Sequence, residues 1–135
     1  MILEALEAAL HTGKTENVKV ERKLTIEHLL PVDWERHWPL VVREDTPDAQ
    51  EEALRARNHA LHGIGNLTLL TKHLNPSVSN GPWLKKREGI LKHSALNLNR
   101  IFQTVDVWNE TYISQRSRDL LAVATKIWPY PVAEN

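Results

Sequence analysis

The stretch Thr25-Ile26-Glu27-His28-Leu29-Leu30-Pro31, taken together with Gly65-Asn66-Leu67-Thr68-Leu69-Leu70, decides how this chain folds. The run from Leu24 to Leu30 is short, β-prone and stopped by Pro31, so it predicts a strand that ends in a loop and carries an acid–histidine pair, Glu27 and His28. His62-Gly63-Ile64-Gly65-Asn66 is glycine-punctuated turn chemistry, and the apolar Leu67-Thr68-Leu69-Leu70 that follows predicts a second short strand. Between the two lie an irregular stretch, Asp33 to Glu44, holding Trp34, Trp38 and Pro39, and then Thr46-Pro47-Asp48. That triplet offers an N-cap, a proline at the first helical position and an early acid, so it predicts a helix to about His59.

The flanks read as helices. Ile2, Leu3, Leu6 and Leu10 keep amphipathic spacing until Gly13. Asn75 to Pro82 is rich in chain breakers; Trp83 to Lys92 resumes a basic helical pattern, and a further helix is expected from about Ser94 to Gln103. Asp106 is placed to cap a long helix whose apolar positions, Trp108, Ile113, Leu120, Leu121, Ala124 and Trp128, keep helical spacing until Pro129. The expected fold is α+β: a small two-strand-plus-helix element over about 24–92, embedded in a mostly helical body with flanks at 1–12 and 94–128. A length of 135 residues fits one such domain, 1–135. There is no internal repeat and no low-complexity segment.

Composition removes several classes. With no cysteine, neither a disulfide framework nor a thiolate zinc site is available, so any metal must be held by nitrogen and oxygen. The apolar stretches fall far short of a membrane span, and the N-terminus lacks the basic start and cleavage site of a signal peptide, so a soluble, cytoplasmic protein is expected. The formal net charge is zero, yet the distribution is uneven. From Ala53 to Thr104 stand eight basic residues, Arg55, Arg57, Lys72, Lys85, Lys86, Arg87, Lys92 and Arg100, against the single acid Glu88. The segment is therefore +7 and the remainder −7, which marks the middle of the chain as a candidate phosphate-facing surface. A solvated helix face collects charge in the same way.

Two strands, one carrying acid and histidine, the other bracketed by asparagines, form a set with chemical sense. Phosphodiester cleavage at neutral pH needs a base to activate water and a cation to stabilise charge on the phosphate and the leaving oxygen. A histidine with an ordinary pKa of roughly 6.5 is largely neutral at pH 7 and can accept that proton. Carboxylate and amide oxygens such as those of Glu27 and Asn75 suit hard Mg²⁺, which keeps most of its waters.

On these residues the chain resembles a known family. Glu27-His28-Leu29-Leu30-Pro31, Gly65 to Leu70 and Leu74-Asn75 are similar to the acid-His-x-x-Pro, Asn-Leu-x-Leu-Leu and final Asn of HNH (ββα-metal) nucleases, including the nine-residue step from Asn66 to Asn75. Thr25 to His28, Ser79-Asn80, Trp83 with Lys86, and the tail Trp108, Ile113, Arg116, Leu120 and Trp128 resemble more narrowly the C-terminal nuclease domain of GmrSD-type, modification-dependent restriction endonucleases, over nearly the whole chain. The resemblance implies an HNH finger, cleavage of DNA to 5′-phosphate ends, His28 as general base, Glu27 and Asn75 as ligands of Mg²⁺ (or Mn²⁺), and Asn66 as the residue that braces the loop and orients the base. It places Lys86, or its neighbour Lys85, near the metal and the scissile phosphate, and leaves Asn80 to bind phosphate or cap the next helix. Arg87 and His62 complete the expected nucleic-acid contacts. Two departures stand out: the first ligand is Glu where many such enzymes have Asp, and the last is Asn where others have His, which favours Mg²⁺ or Mn²⁺ over Zn²⁺. Resembling enzymes join this domain to an N-terminal nucleotide-hydrolysing domain, so the chain is expected to be part of a longer protein or to work with a partner subunit; it has no phosphate-binding glycine loop of its own.

Other readings stay open in the residues alone. The element could be the scaffold of a non-catalytic nucleic-acid-binding module, and the same chemistry could act on RNA or single strands. Seven histidines leave room for a zinc cluster of His28 with His59, His62 or His73, although none shows the i, i+4 spacing with a glutamate base. His11, His37 and His93 read as solvent-facing. Trp108 and Trp128 fall on the apolar stripe of the last helix and read as core, whereas Trp34, Trp38 and Trp83 read as more open and able to stack bases.

Overall fold

A computed structural model describes residues 2–10, 24–94 and 96–129. Its centre is the expected pair of strands, β1 (Thr25–His28) and β2 (Leu67–Leu70), antiparallel, with Thr25 opposite Leu70 and His28 opposite Leu67. A two-stranded ribbon is marginal in water by itself, so its stability comes from what packs around it. Strand alternation sends consecutive leucines of β2 into different clusters. Leu70 joins Leu29, Leu30, Trp38, Trp83 and Trp108. Leu69 joins Leu3 and Leu6 of α1 (Ile2–Ala9), together with Leu98 and Leu120. Burying each such side chain stabilises by roughly 1.5–3 kcal/mol, so β2 is the seam between two apolar cores.

The connection from β1 to β2 is long and partly helical, as expected. α2 (Pro47–Leu61) begins where Thr46 Oγ1 accepts the N–H of Ala49 at 3.2 Å and Pro47 occupies the first turn, and it runs two residues past His59. A 3₁₀ turn, Ile64–Asn66, then leads into β2. After β2 come α3 (Pro76–Ser79) and α4 (Trp83–His93), which complete the ββα element. Arg57, 4% exposed, ties this connection together: its guanidinium donates to the carbonyl of Trp38, pairs with Glu110 and lies 4.7 Å over the ring of Trp34.

The C-terminal half corrects several expectations. The helix expected over 94–103 is instead α5 (Asn97–Arg100) followed by a 3₁₀ turn, Ile101–Thr104. Glu7 of α1 reaches this segment and accepts the N–H groups of Asn97 and Leu98 at 2.7 and 2.9 Å, supplying from afar a cap that no local side chain provides. The long helix α6 (Glu110–Ile127) starts at Asn109, whose Oδ1 accepts the N–H of Tyr112 at 3.1 Å. Asp106 does not cap it: it lies three residues before the N-cap Asn109, and its carboxylate pairs with Arg87 at 2.8 Å. Trp108 therefore precedes the helix and is free to enter the core, where it stacks on Trp83 at 5.3 Å, with Phe102 edge-on to both.

The tryptophan assignments largely invert. Trp38 and Trp83, expected open, are each 7% exposed, whereas Trp128 is 51% exposed and Leu121 55%. Ile2 is likewise exposed, and α1 buries Leu3, Leu6 and Glu7. His11 and the Gly13 stop lie outside the described residues. Among the described residues no helix is long and apolar enough to cross a membrane. The fold is α+β, a mostly helical domain holding a small ββα element.

Candidate active site

Asn66 anchors the site from within. It is fully buried, and its side chain accepts the N–H of Leu30 at 2.7 Å while donating to the carbonyls of Leu30 and Leu61, each at 2.9 Å. Trp108 Nε1 donates to the same amide oxygen at 3.2 Å, and the backbone carbonyl of Asn66 takes the N–H of Leu29 at 2.8 Å. An amide has two donors and an oxygen with two lone pairs, and here every one is used. The two residues that follow His28 are thus clamped to the start of β2.

The turn that presents Asn66 is held by α6. Gly65 lies so close that an added Cβ would fall 2.1 Å from the carbonyl oxygen of Ile113 and 2.2 Å from Ser117 Oγ. Ser117 Oγ accepts the N–H of Gly65 at 3.0 Å. Arg116 donates to the carbonyls of Gly65 and Leu67 at 3.0 and 2.6 Å, with burial lowering its pKa to about 10, still charged at neutral pH. Its Nη2 is buried without a partner.

Glu27, on β1, is met by two donors on one oxygen. Ser79 of α3 donates to its Oε1 at 2.7 Å, and the ammonium of Lys86 on α4 sits 3.1 Å from the same atom. Lys86 also donates to the backbone carbonyl of His28. Both side-chain contacts fall on Oε1, and among the described residues Oε2 has no hydrogen-bond partner, in a carboxylate whose side chain is only 11% exposed. Lys86 itself is 0% exposed, so the expected contact of its ammonium with phosphate is replaced by a hold on Glu27 and the end of β1. Burial lowers the Lys86 pKa, and Glu27 pulls it partly back.

His28 is half-buried, with its ring edge-on to that of His62 at 5.6 Å and 88°. Its pKa is lowered, first by burial, then by the neighbouring His62 and Lys86, against a smaller opposing pull from Glu27. The neutral imidazole, able to accept a proton, is the favoured form. His62 is exposed at the end of α2, beside His28.

Asn75 is exposed and caps α3: its Oδ1 accepts Ser77 Oγ at 2.7 Å and the N–H of Val78 at 3.1 Å. Its oxygen is therefore the better-occupied of the two candidate ligand oxygens. Asn80 ends α3 through its backbone N–H and does not cap α4, whose N-cap is Pro82. Among the described residues no three His, Cys, Asp or Glu side chains group as a metal site, and of His59, His62 and His73 it is His62 that makes a ring contact with His28.

The basic middle of the chain is partly consumed inside the fold. Lys86 and Arg57 are buried and paired, Arg55 pairs with Glu51, and Arg87 donates to the carbonyl of Val105 at 2.9 Å as well as to Asp106. Lys72, Lys85, Lys92 and Arg100 remain exposed. Sequence reasoning gave no role to Ser79, although it stands in the Ser79-Asn80 pair of the resemblance, and read Trp108 as packing alone, whereas its indole N–H also fixes Asn66.

Comparison with known proteins adds one relationship. No curated protein and no solved structure matches the chain closely enough to count as a relative. A family model described as GmrSD restriction endonucleases, C-terminal domain, matches residues 1–123, almost the whole length and every residue of the site above. The chain belongs to the family of C-terminal domains of GmrSD restriction endonucleases.

Proposed function

We propose that the chain hydrolyses DNA phosphodiester bonds for a restriction system, by metal-assisted chemistry of the HNH kind. One observation carries the reading: a carboxylate, Glu27, with one oxygen pinned by Ser79 and Lys86 and the other without a hydrogen-bond partner among the described residues, next in sequence to a histidine that burial keeps neutral. The donor set fits a hard cation such as Mg²⁺ or Mn²⁺, which takes one or two protein oxygens and keeps its waters. Glu27 Oε2 would be one such oxygen and Asn75 Oδ1 the other, the latter by giving up one of the two hydrogen bonds it accepts from Ser77 Oγ and the Val78 N–H. When bound, the cation supplies Lewis-acid stabilisation of charge on the phosphate and the leaving oxygen.

The chain's own residues do the rest. His28 takes the proton of the attacking water on its neutral ring. Asn66, acting through Leu29 and Leu30, fixes the backbone from which His28 projects, so it is a positioning residue. Lys86 holds the carboxylate of Glu27 and the His28 carbonyl in one register. The exposed lysines supply the sequence-independent attraction to phosphate. Because the family is a C-terminal domain of a larger enzyme, recognition and gating belong in this reading to an N-terminal nucleotide-hydrolysing partner.

The test is to incubate the chain and a His28→Ala variant with supercoiled plasmid, unmodified or carrying modified cytosines, in Mg²⁺, Mn²⁺ or EDTA, and to score nicking. Cutting by the unmutated chain with metal only, and a loss of roughly 10²–10⁴-fold in the variant, is the expected result. Equal cutting by His28→Ala, or cutting in EDTA, overturns it; cleavage of RNA alone moves the substrate class.

A further inference from the structure

Beside the site lies a groove of about 200 Å³, lined by Lys72, His73, Leu74, Asn75, Gly89 and His93. Since a water occupies about 30 Å³, the space is large enough for a phosphate group with part of its sugar. One wall is the turn after β2 and the other is the last two turns of α4, drawn together where Thr71 Oγ1 donates to the carbonyl of His93 at 3.1 Å. Gly89 keeps α4 close to α3, for a Cβ there would lie 2.8 Å from Val78 Cγ1.

The charge of this groove has one sign. Its lining holds a lysine and two histidines and no carboxylate, and Lys92, next in sequence to the lining residue His93, is exposed. The four ion pairs described take up Arg55, Arg57, Lys86 and Arg87, and none involves Lys72 or Lys92. Of the four basic residues left exposed in the middle of the chain, Lys72 therefore lines the groove and Lys92 is next in sequence to its lining residue His93. The negative C-terminal end of α4 accounts for Lys92 and His93, but not for Lys72 and His73 on the opposite wall.

We propose that this groove binds a backbone phosphate of the strand that is cut, adjacent to the scissile one. The proposal rests on the nuclease reading above, because Asn75 both lines the groove and is the second candidate ligand, so one strand reaches both. Lys72 acts as a point charge, and the imidazoles of His73 and His93 donate N–H groups; such contacts fix register without reading bases.

The test is fluorescence anisotropy with a short fluorescein-labelled DNA duplex in EDTA, over a series of KCl concentrations, for the unmutated chain, Lys72→Ala, and Lys72→Ala with His93→Ala. The salt slope of log Kd is expected to fall by about one for Lys72→Ala, with weakening uniform across sequences. Replacing a single phosphate next to the cut by methylphosphonate should weaken the unmutated chain and leave the double variant unaffected. Melting curves of each variant, and of Lys72→Glu, establish that binding is lost at unchanged folding. Unchanged slopes in variants of a chain that binds and cuts DNA overturn the groove and spare the nuclease reading; absence of both binding and cutting by the unmutated chain overturns both.

Discussion

Asn66 treats Leu30 as a strand neighbour would: its side-chain oxygen accepts the N–H of Leu30 at 2.7 Å and its side-chain nitrogen donates to the carbonyl of Leu30 at 2.9 Å. A two-residue extension of β1 is thereby paired by one amide, and the chain leaving His28 has a single path. The same amide accepts Trp108 Nε1, so the chain leaving His28, the second strand and the aromatic core share one buried node.

Asn66→Ala should therefore be costly. It leaves the N–H of Leu30, the indole N–H of Trp108 and two carbonyls without partners, at roughly 1–3 kcal/mol per unsatisfied buried group, less what the site recovers by relaxing or admitting water. A net loss of about 2–4 kcal/mol in urea denaturation is the expected outcome. Asn66→Asp should not rescue it, because a carboxylate oxygen would then face the carbonyls of Leu30 and Leu61. Rescue to near the original stability would show that the donor half of the amide is dispensable.

Gly65→Ala tests how closely α6 presses on the same turn. The new methyl would meet a backbone carbonyl, that of Ile113, as well as the Ser117 hydroxyl, so the turn must move. The cost expected is about 3 kcal/mol, the upper part of the overpacking range. Adding Ser117→Ala should recover only a minor share, since the Ile113 contact stays; thermal unfolding of the single and double variants measures this directly.

The pH dependence follows from His28. Burial, His62 and Lys86 all disfavour its charged form, so in the metal-free folded chain it titrates below the ordinary value of about 6.5. Below 6.5 the unfolded chain binds this proton before the folded one does. The site's contribution to stability is thus complete above 6.5 and lost as pH falls from there through the folded pKa. NMR titration of the imidazole in the metal-free protein should show a midpoint under 6.5, and the acid limb of activity should lie on the same side. A midpoint above 6.5 would mean that Glu27 dominates.

Much of the fold could be read from local signals, and the failures have a common cause. Thr46-Pro47 and the Pro31 stop act through their immediate neighbours, and the ends of β1, β2 and α2 came out within a few residues. Where a distant group decides, local reading fails. α5 is capped by Glu7, and α6 starts at Asn109 while Trp108, just before it, is drawn into the aromatic core. Trp108 is in the core as expected, though it precedes α6 and does not lie on its stripe; Trp128 went astray because it ends α6, and Trp38 and Trp83 because long-range packing around Phe102 and Trp108, not local spacing, buries them. At the candidate site, the motif singles out His28, Glu27, Asn66 and Asn75, but only three dimensions show that Lys86 points inward and that Ser79 reaches Glu27.

Lys86→Met should reveal that inward role. The substitution preserves length and apolar fit but leaves Glu27 with Ser79 alone and the His28 carbonyl without its donor. A destabilisation of about 1–3 kcal/mol is expected. Lys86→Arg should fare no better, because the larger guanidinium must enter a slot with no exposed surface. Stability equal to the unmutated chain in either variant, by urea denaturation, would place the ammonium in solvent.

Lys85 and Arg87 separate surface charge from structural charge. They stand two residues apart on α4, and composition alone treats them alike. Lys85 is exposed and in none of the ion pairs described, whereas Arg87 donates to Val105 and Asp106 at the lip of the aromatic core. Lys85→Ala should lower the salt slope of DNA binding by about one and leave the melting temperature unchanged. Arg87→Ala should do the reverse, costing about 0.5–1.5 kcal/mol of stability, since Asp106 is largely exposed and only the Val105 bond is sheltered, with the slope nearly unchanged. Equal effects of the two variants on the slope would mean that DNA draws Arg87 away from Asp106 on binding, and that the phosphate-facing surface extends across the whole first turn of α4.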